Sequence, residues 1–317
     1  MAFSELTIET YRGFGNADRA ILWGRVYRQP GWAGNFLRRL LRRGLSGVEV
    51  TATLADRTIS ARTDADGYFR LRWTGLDAVP HGWETVTLEG YDARARLAGV
   101  AEIHMRPADS TYVTISDIDD TVMDTGVANK LLMYYRLFLV GAAGRRAFPG
   151  VPEFYRALRT GLSGADDNPV VFVSRGPWSI YPVLTDFFRA RGIAERPILL
   201  LREWGLTLQS PWPRRARAHK RDLIAEVMDV YGESTFVLIG DNGQHDPELY
   251  AELAREHPDR IRAVYIRDID ASAARRQQVE TLFGALDVPM VAGDTAAMAR
   301  DAVARGLIPP GVAAGPG

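Results

Sequence analysis

The chain has 317 residues, 46% hydrophobic and 25% charged, with 39 basic against 39 acidic side chains and no cysteine. That length accommodates two ordinary domains, each with its own core. The balanced charge excludes bulk attraction to nucleic acid or an anionic membrane, and the missing cysteine excludes disulfides, thiolate metal sites and a cysteine nucleophile. The first residues, MAFSELTIETYRGFG, lack a basic segment followed by an apolar run, so no signal peptide is expected. Apolar stretches reach about ten residues, half of what a membrane-spanning helix needs. A cytoplasmic location is expected, with any membrane contact peripheral. Only Lys130 and Lys220 among the basic residues are lysines, which makes a retained lysine slightly informative.

In chain order, residues from about 20 to 107 read as β structure. The runs AILWGRVY, GVEVTATLA, RTISARTD, GYFRLRW and ETVTLEGYDARARLA alternate apolar with polar residues between turn signals. A β-sandwich-like domain over 1–107 is expected, with a tight turn at Asp66-Gly67. From Tyr112 the pattern changes. YVTISDID is a nearly continuous apolar strand ending in carboxylates, followed by helical stretches at 128–140 and 151–161 and a strand at 169–174. A helix over 178–191, a strand at 197–201 and a helix over 219–231 come next. After them stand a strand at 235–240, a helix over 247–256, a strand at 261–266 and a strand–helix pair at 288–305. Wholly apolar strands alternating with helices predict an α/β domain with a parallel, Rossmannoid sheet over 108–317.

Ligands bind beyond the carboxyl ends of such strands. Three of these ends carry residues suited to phosphoryl transfer: Asp117-Ile118-Asp119-Asp120-Thr121; Ser174 after VVFV; and Asp241-Asn242-Gly243, with Asp246 just beyond. Lys220 opens the helix before the third. A phosphate monoester carries nearly two negative charges at neutral pH, which a carboxylate-held divalent cation would offset. Hard oxygen ligands suit Mg²⁺. A lone strand-end aspartate is more often a turn or cap residue; the convergence of three strand ends favours chemistry for Asp117, Asp119 and Asp241. Asp246, preceding Pro247-Glu248, reads equally as a ligand or as the N-cap of the next helix. Asp120 reads as a ligand, a substrate contact or a turn residue, and Asp124 and Thr125 as the following turn. His245 reads as a substrate contact or a turn cap.

The order D-x-D-x-T, Ser, Lys, acidic cluster resembles the haloacid dehalogenase-like phosphatase superfamily. The resemblance implies that Asp117 is both nucleophile and metal ligand, forming an aspartyl-phosphate. Asp119 would be the acid–base, with its carbonyl on the metal. Ser174 and Lys220 would hold phosphoryl oxygens, Asp241 and Asp246 would complete a Mg²⁺ site, and Thr121 would contact substrate. SDIDDTVMDTG, PGVPEFYRAL, VFVSRGPWSIYP, HKRDLI and LIGDNGQHDPELY, with YRGFG and GRVYRQP, are similar to the actin-patch-associated phosphatidate phosphatase family, whose catalytic domain is related to the lipins. Mg²⁺-dependent conversion of phosphatidate to diacylglycerol and phosphate is implied. Arg175 stands where yeast relatives have Asn in Asn-Ser-Pro-Trp, so it would tune phosphate or headgroup binding.

Only two helices are expected between the first two motifs, and no folded cap fits between Ser174 and Lys220. An uncapped site admits a membrane-embedded substrate, with water exclusion left to other elements. Phe36-Leu37-Arg38-Arg39-Leu40-Leu41-Arg42-Arg43 reads as a basic amphipathic helix, either at a membrane interface or packed on the sandwich. Residues 129–140 read as a buried helix or as one lining an acyl groove. The basic run Arg214, Arg215, Arg217, His219, Lys220, Arg221 reads as a headgroup-gathering patch or a solvated loop; no stacking motif supports nucleic-acid binding. The competing functions are hydrolysis of a soluble phosphomonoester or phosphoprotein, and a non-catalytic lipid-binding module. The filled nucleophile, acid–base, phosphate-binding and metal positions disfavour the last.

Overall fold

The computed structural model of the chain describes residues 5–29, 42–77, 79–92, 95–123, 147–202, 216–270 and 272–312. The chain divides into two compact units. One comprises the described residues of 1–108 with 175–182 and 201–219, and the other those of 109–174, 183–200 and 220–317.

Nine strands build the first unit: β1 (Glu5–Thr10), β2 (Gly13–Gly15), β3 (Ala20–Gln29), β4 (Arg43–Gly44), β5 (Glu49–Leu54), β6 (Arg57–Arg62), β7 (Tyr68–Trp73), β8 (Gly82–Asp92) and β9 (Ala95–Met105). Their hydrogen-bonded order is β1-β3-β2-β9-β8-β5-β6, with β4 and β7 also pairing with β3. All pairs are antiparallel except β2 with β9. The alternation in β5 and β7 sends Val50, Ala52, Leu54, Phe69, Leu71 and Trp73 into one core with Val86, Leu88 and Ile103, as a period of two requires. The run 84–98, read as one strand, is parts of two, because the register pairs Asp92 with Ala95 and folds it into a hairpin. Gly67 takes φ +83, and the Asp64 carboxylate accepts from the Asp66 and Tyr68 amides, so the turn lies where the Asp-Gly pair places it.

The helix expected over 36–43 is corrected at its end. Arg43 belongs to β4, and the Arg42 guanidinium is paired with Glu9 at 3.0 Å and lies 4.2 Å from the Tyr27 ring centroid. With its charge offset and its plane on an aromatic face, Arg42 packs into the β unit rather than facing a lipid surface. Residues 36–41 lie outside the described residues, as do the expected helix at 128–140, Asp124, Thr125, Arg214 and Arg215.

The second unit holds a six-stranded sheet in the order β12-β11-β10-β13-β14-β15, formed by β10 (Val113–Asp117), β11 (Val170–Pro177), β12 (Ile198–Arg202), β13 (Phe236–Asp241), β14 (Ile261–Arg267) and β15 (Met290–Gly293). β10 runs parallel to β11 and β13, β13 to β14, and β14 to β15. Every residue of β10 and β13 is buried, which accounts for their unbroken apolar runs. The helices are α1 (Val151–Thr160), α2 (Tyr181–Ala190), α3 (Ala216–Val230), α4 (Asp246–Glu256), α5 (Ala273–Phe283) and α6 (Thr295–Ala304). In α1, Gly150 with φ +74 and Pro152 start the helix, and Val151, Phe154, Tyr155 and Leu158 bury one face. The chain fills the sheet from β10 outward to β11 and β12, then returns to place β13 on the other side of β10. That reversal opens a crevice beyond the carboxyl ends of β10 and β13, where open α/β sheets bind ligands.

Candidate active site

Asp117 ends β10 and Asp241 ends β13, one on each side of the reversal; both side chains are buried. Helix α3 brings in Lys220, whose ammonium donates to Asp117 Oδ1 at 2.6 Å and to Asp246 Oδ1 at 2.5 Å. Asp246 is not the N-cap of α4. His245 holds that position without a side-chain cap bond, while Asp246 is the first helical residue and is wholly buried. The neighbouring pair is Asp119 and Ser174, with Ser174 Oγ donating to Asp119 Oδ2 at 3.2 Å. Thr121 is buried, and its hydroxyl has no hydrogen-bond partner among the described residues. Asp120 adopts φ +59, and its amide donates to the Met123 carbonyl at 3.0 Å, so it shapes the turn of this loop.

The charges do not balance. Asp117, Asp241 and Asp246 offer carboxylate oxygens that all lie within 4.8 Å of one another. Lys220 satisfies one oxygen each of Asp117 and Asp246, leaving Oδ2 of both buried and without a hydrogen-bond partner among the described residues. Orphaned buried acceptors are rare in native proteins, and two of them beside a third buried carboxylate make a set that could hold a cation. An all-carboxylate oxygen set is the donor chemistry that hard divalent ions prefer. Burial pushes the Asp117 carboxyl up to about 7, Lys220 opposes that rise, and Asp246 and Asp119 add to it. Burial works against charge on Lys220, but Asp117 and Asp246 more than offset it and raise its pKa. The ammonium therefore stays charged, and added positive charge would hold Asp117 ionised.

Two residues at this end of the sheet escaped the sequence reading. Gln244 Nε2 donates to Asp241 Oδ2 at 3.2 Å and approaches the Asp119 carbonyl at 3.5 Å. Arg267 ends β14 and donates through Nε to the Thr121 carbonyl at 2.8 Å. Its signal was a basic residue closing the apolar run IRAVYI at a strand's carboxyl end. Arg275 fastens the acidic loop from outside, donating to the Asn242 and Gln244 carbonyls and pairing with Glu248 at 2.6 Å. Arg175, on β11 after Ser174, is half-buried and grouped with the first unit.

A carboxylate beside a fixed ammonium, a second carboxyl on a hydroxyl and a buried acidic cluster form the kind of arrangement a phosphatase catalytic domain would use. Residues 112–268 match the family model "Phosphatidate phosphatase APP1, catalytic domain". The match assigns these residues, just under half of the chain, to that family of catalytic domains. The chain is 34% identical over 155 residues to an uncharacterized protein of Schizosaccharomyces pombe, covering 49% of this chain and 25% of that one. It is 30% identical over 153 residues to "Phosphatidate phosphatase APP1" of Saccharomyces cerevisiae, covering 48% of this chain and 25% of the relative. These matches thus span a quarter of each relative's length. Among solved structures, the M1 domain of titin aligns with 32% of this chain and 94% of its own length, at 10% identity and a TM-score of 0.19, too low to bear on the fold. Among the described residues no helix is long and apolar enough to cross a membrane.

Proposed function

We propose that the domain is a haloacid dehalogenase-like, Mg²⁺-dependent phosphatase that releases phosphate from phosphatidate at a membrane surface through an aspartyl-phosphate on Asp117. The observation that carries this reading is the buried Asp117 carboxylate, held at one oxygen by Lys220 and, among the described residues, free of hydrogen bonds at the other. A carboxylate with one oxygen fixed and one available is oriented for attack on phosphorus.

In the first step an Asp117 oxygen bonds to phosphorus, the bond from phosphorus to the ester oxygen breaks, and Asp119 gives its proton to the departing alkoxide. In the second, Asp119 takes a proton from water, the water oxygen bonds to phosphorus, and inorganic phosphate leaves with Asp117 restored. Ser174 orients Asp119 by its hydrogen bond and would turn its one hydroxyl hydrogen to a phosphoryl oxygen when substrate binds, and the Lys220 ammonium offsets charge that develops on phosphate. Thr121 and Arg175 are assigned to substrate. Asp117, Asp241 and Asp246, with the Asp119 carbonyl, would hold Mg²⁺, which supplies Lewis-acid polarisation of the phosphoryl oxygens.

The preference for a lipid rests on the family model and on the name of the Saccharomyces cerevisiae relative. The test is phosphate release from vesicle-embedded phosphatidate against soluble monoesters, with and without Mg²⁺. Faster turnover of the soluble esters would overturn the lipid assignment, and wild-type activity in Asp117→Asn would overturn the mechanism.

A further inference from the structure

Arg267 sits at the same edge of the sheet as Asp117 and Asp241, yet the chemistry above leaves it without a task. Its guanidinium is buried, with Nε on the Thr121 carbonyl at 2.8 Å, Nη2 on Thr295 Oγ1 at 2.8 Å, and the Phe148 ring centroid 4.2 Å away. All three partners are neutral. A buried charge held by neutral groups costs far more than an apolar residue of similar volume in the same space. Burial lowers its pKa, against the influence of Tyr155, Asp294 and Asp241. Shape-filling alone does not account for an arginine here.

Its connections do. The side chain grips the loop after β10, while its backbone carbonyl accepts from the Asn242 amide, in the loop after β13, at 3.0 Å. The far end of the guanidinium is anchored on Thr295, the first residue of α6, whose start is fixed by the Asp294 cap. The gripped loop contains Asp120 in the left-handed region, which a residue with a Cβ adopts only at an energetic cost. Such a loop needs outside contacts to hold one shape.

We propose that Arg267 is a positioning residue that fixes the spacing between the Asp117–Thr121 loop and the Asp241–Asp246 loop. It thereby sets both the alignment of Asp117 and the tightness with which the acidic cluster binds a divalent cation. The proposal rests on the reading of Asp117 as nucleophile.

The test compares wild type, Arg267→Met and Arg267→Lys in the full chain, by phosphate release from phosphatidate–detergent micelles and by calorimetric titration with MgCl₂. In Arg267→Met, kcat falls about 100-fold while KM stays within about threefold, and the Mg²⁺ Kd rises about tenfold or more. Arg267→Lys restores charge and one of the two hydrogen bonds, and so recovers about tenfold of the lost kcat. A methionine variant that melts earlier but keeps wild-type kcat per folded molecule and wild-type Mg²⁺ affinity overturns the proposal. If the methionine variant does not fold, the lysine variant decides, because it cannot span both oxygens. A kcat about tenfold below wild type supports the proposal, and wild-type kcat with wild-type Mg²⁺ affinity overturns it. Absence of Mg²⁺ binding by the wild type also overturns it. A wild type that binds Mg²⁺ but releases no phosphate from any monoester defeats the nucleophile reading instead, and the Mg²⁺ titration of the variants alone then judges Arg267.

Discussion

Asp117 and Asp246 share a single ammonium, with Lys220 Nζ at 2.6 Å from one carboxylate and 2.5 Å from the other. All three side chains are buried, so the two negative charges have no solvent to spread into. The lysine keeps the carboxylates compatible with one another and leaves a residual negative charge that attracts a cation.

Lys220→Met is expected to destabilise the metal-free protein by about 3–5 kcal/mol, because it strands two buried carboxylates. Denaturant unfolding measures the loss. Adding Asp246→Asn to that variant should recover part of the stability, since it removes one stranded charge. A double variant less stable than the lysine variant alone would contradict the shared-ammonium account.

Divalent cation should stabilise the wild type in proportion to occupancy, by about 2.7 kcal/mol at a hundredfold excess over Kd. Chelation with EDTA should reverse the gain in a thermal melt. Asp246→Asn should keep the helix content by circular dichroism yet respond less to Mg²⁺. A full Mg²⁺ response in that variant would return Asp246 to a helix-start role.

Ser174→Ala should leave the fold intact and lower kcat about 10²-fold, the usual consequence of losing one positioned donor to the reacting groups. Steady-state phosphate release at saturating Mg²⁺ reads it. A change confined to KM would point to substrate binding without a part in the transition state.

Gly67→Ala should cost the β unit roughly 1–3 kcal/mol. The position takes φ +83, and a Cβ would meet the Val26 carbonyl oxygen at 2.2 Å. A thermal melt of the full chain, followed at the tryptophan signal, measures it. An unchanged melting temperature would mean that the turn relaxes without loss.

What was legible beforehand follows the range of the forces involved. The sheet strands of the second unit announced themselves because burial on both faces demands continuous apolar runs, as in FVLIGD. Asp117, Ser174 and Asp241 were visible because each sits at or near the end of such a run, and Lys220 because it is one of two lysines and opens the helix between the second and third of them. Helix α5 was not anticipated: of its residues only Val279 and Phe283 are buried, so AARRQQVETLF carries almost no amphipathic signal. Strands β1 and β2 were likewise missed, since their pairing with β3 and β9 is set by partners elsewhere in the chain. Arg267 illustrates the same limit within the site. Its hydrogen-bond partner lies 146 residues away, and no local pattern encodes that distance. The end of the segment at 36–43 departs for a related reason, because Glu9 and Tyr27 hold Arg42, and Arg43 pairs in β4; residues 36–41 lie outside the described residues.

The strand order has a consequence for how the molecule comes into being. Lys220 meets Asp117 across 103 residues of chain, and β13 joins β10 only after β11 and β12 have been passed. Contacts of such long range form late and slowly. During synthesis, therefore, the Asp117 strand emerges well before the lysine and the partner aspartates that complete its surroundings. A nascent or truncated chain ending before α4 lacks Asp246 and cannot assemble the full acidic cluster, so capture of a divalent ion there would mark a finished domain.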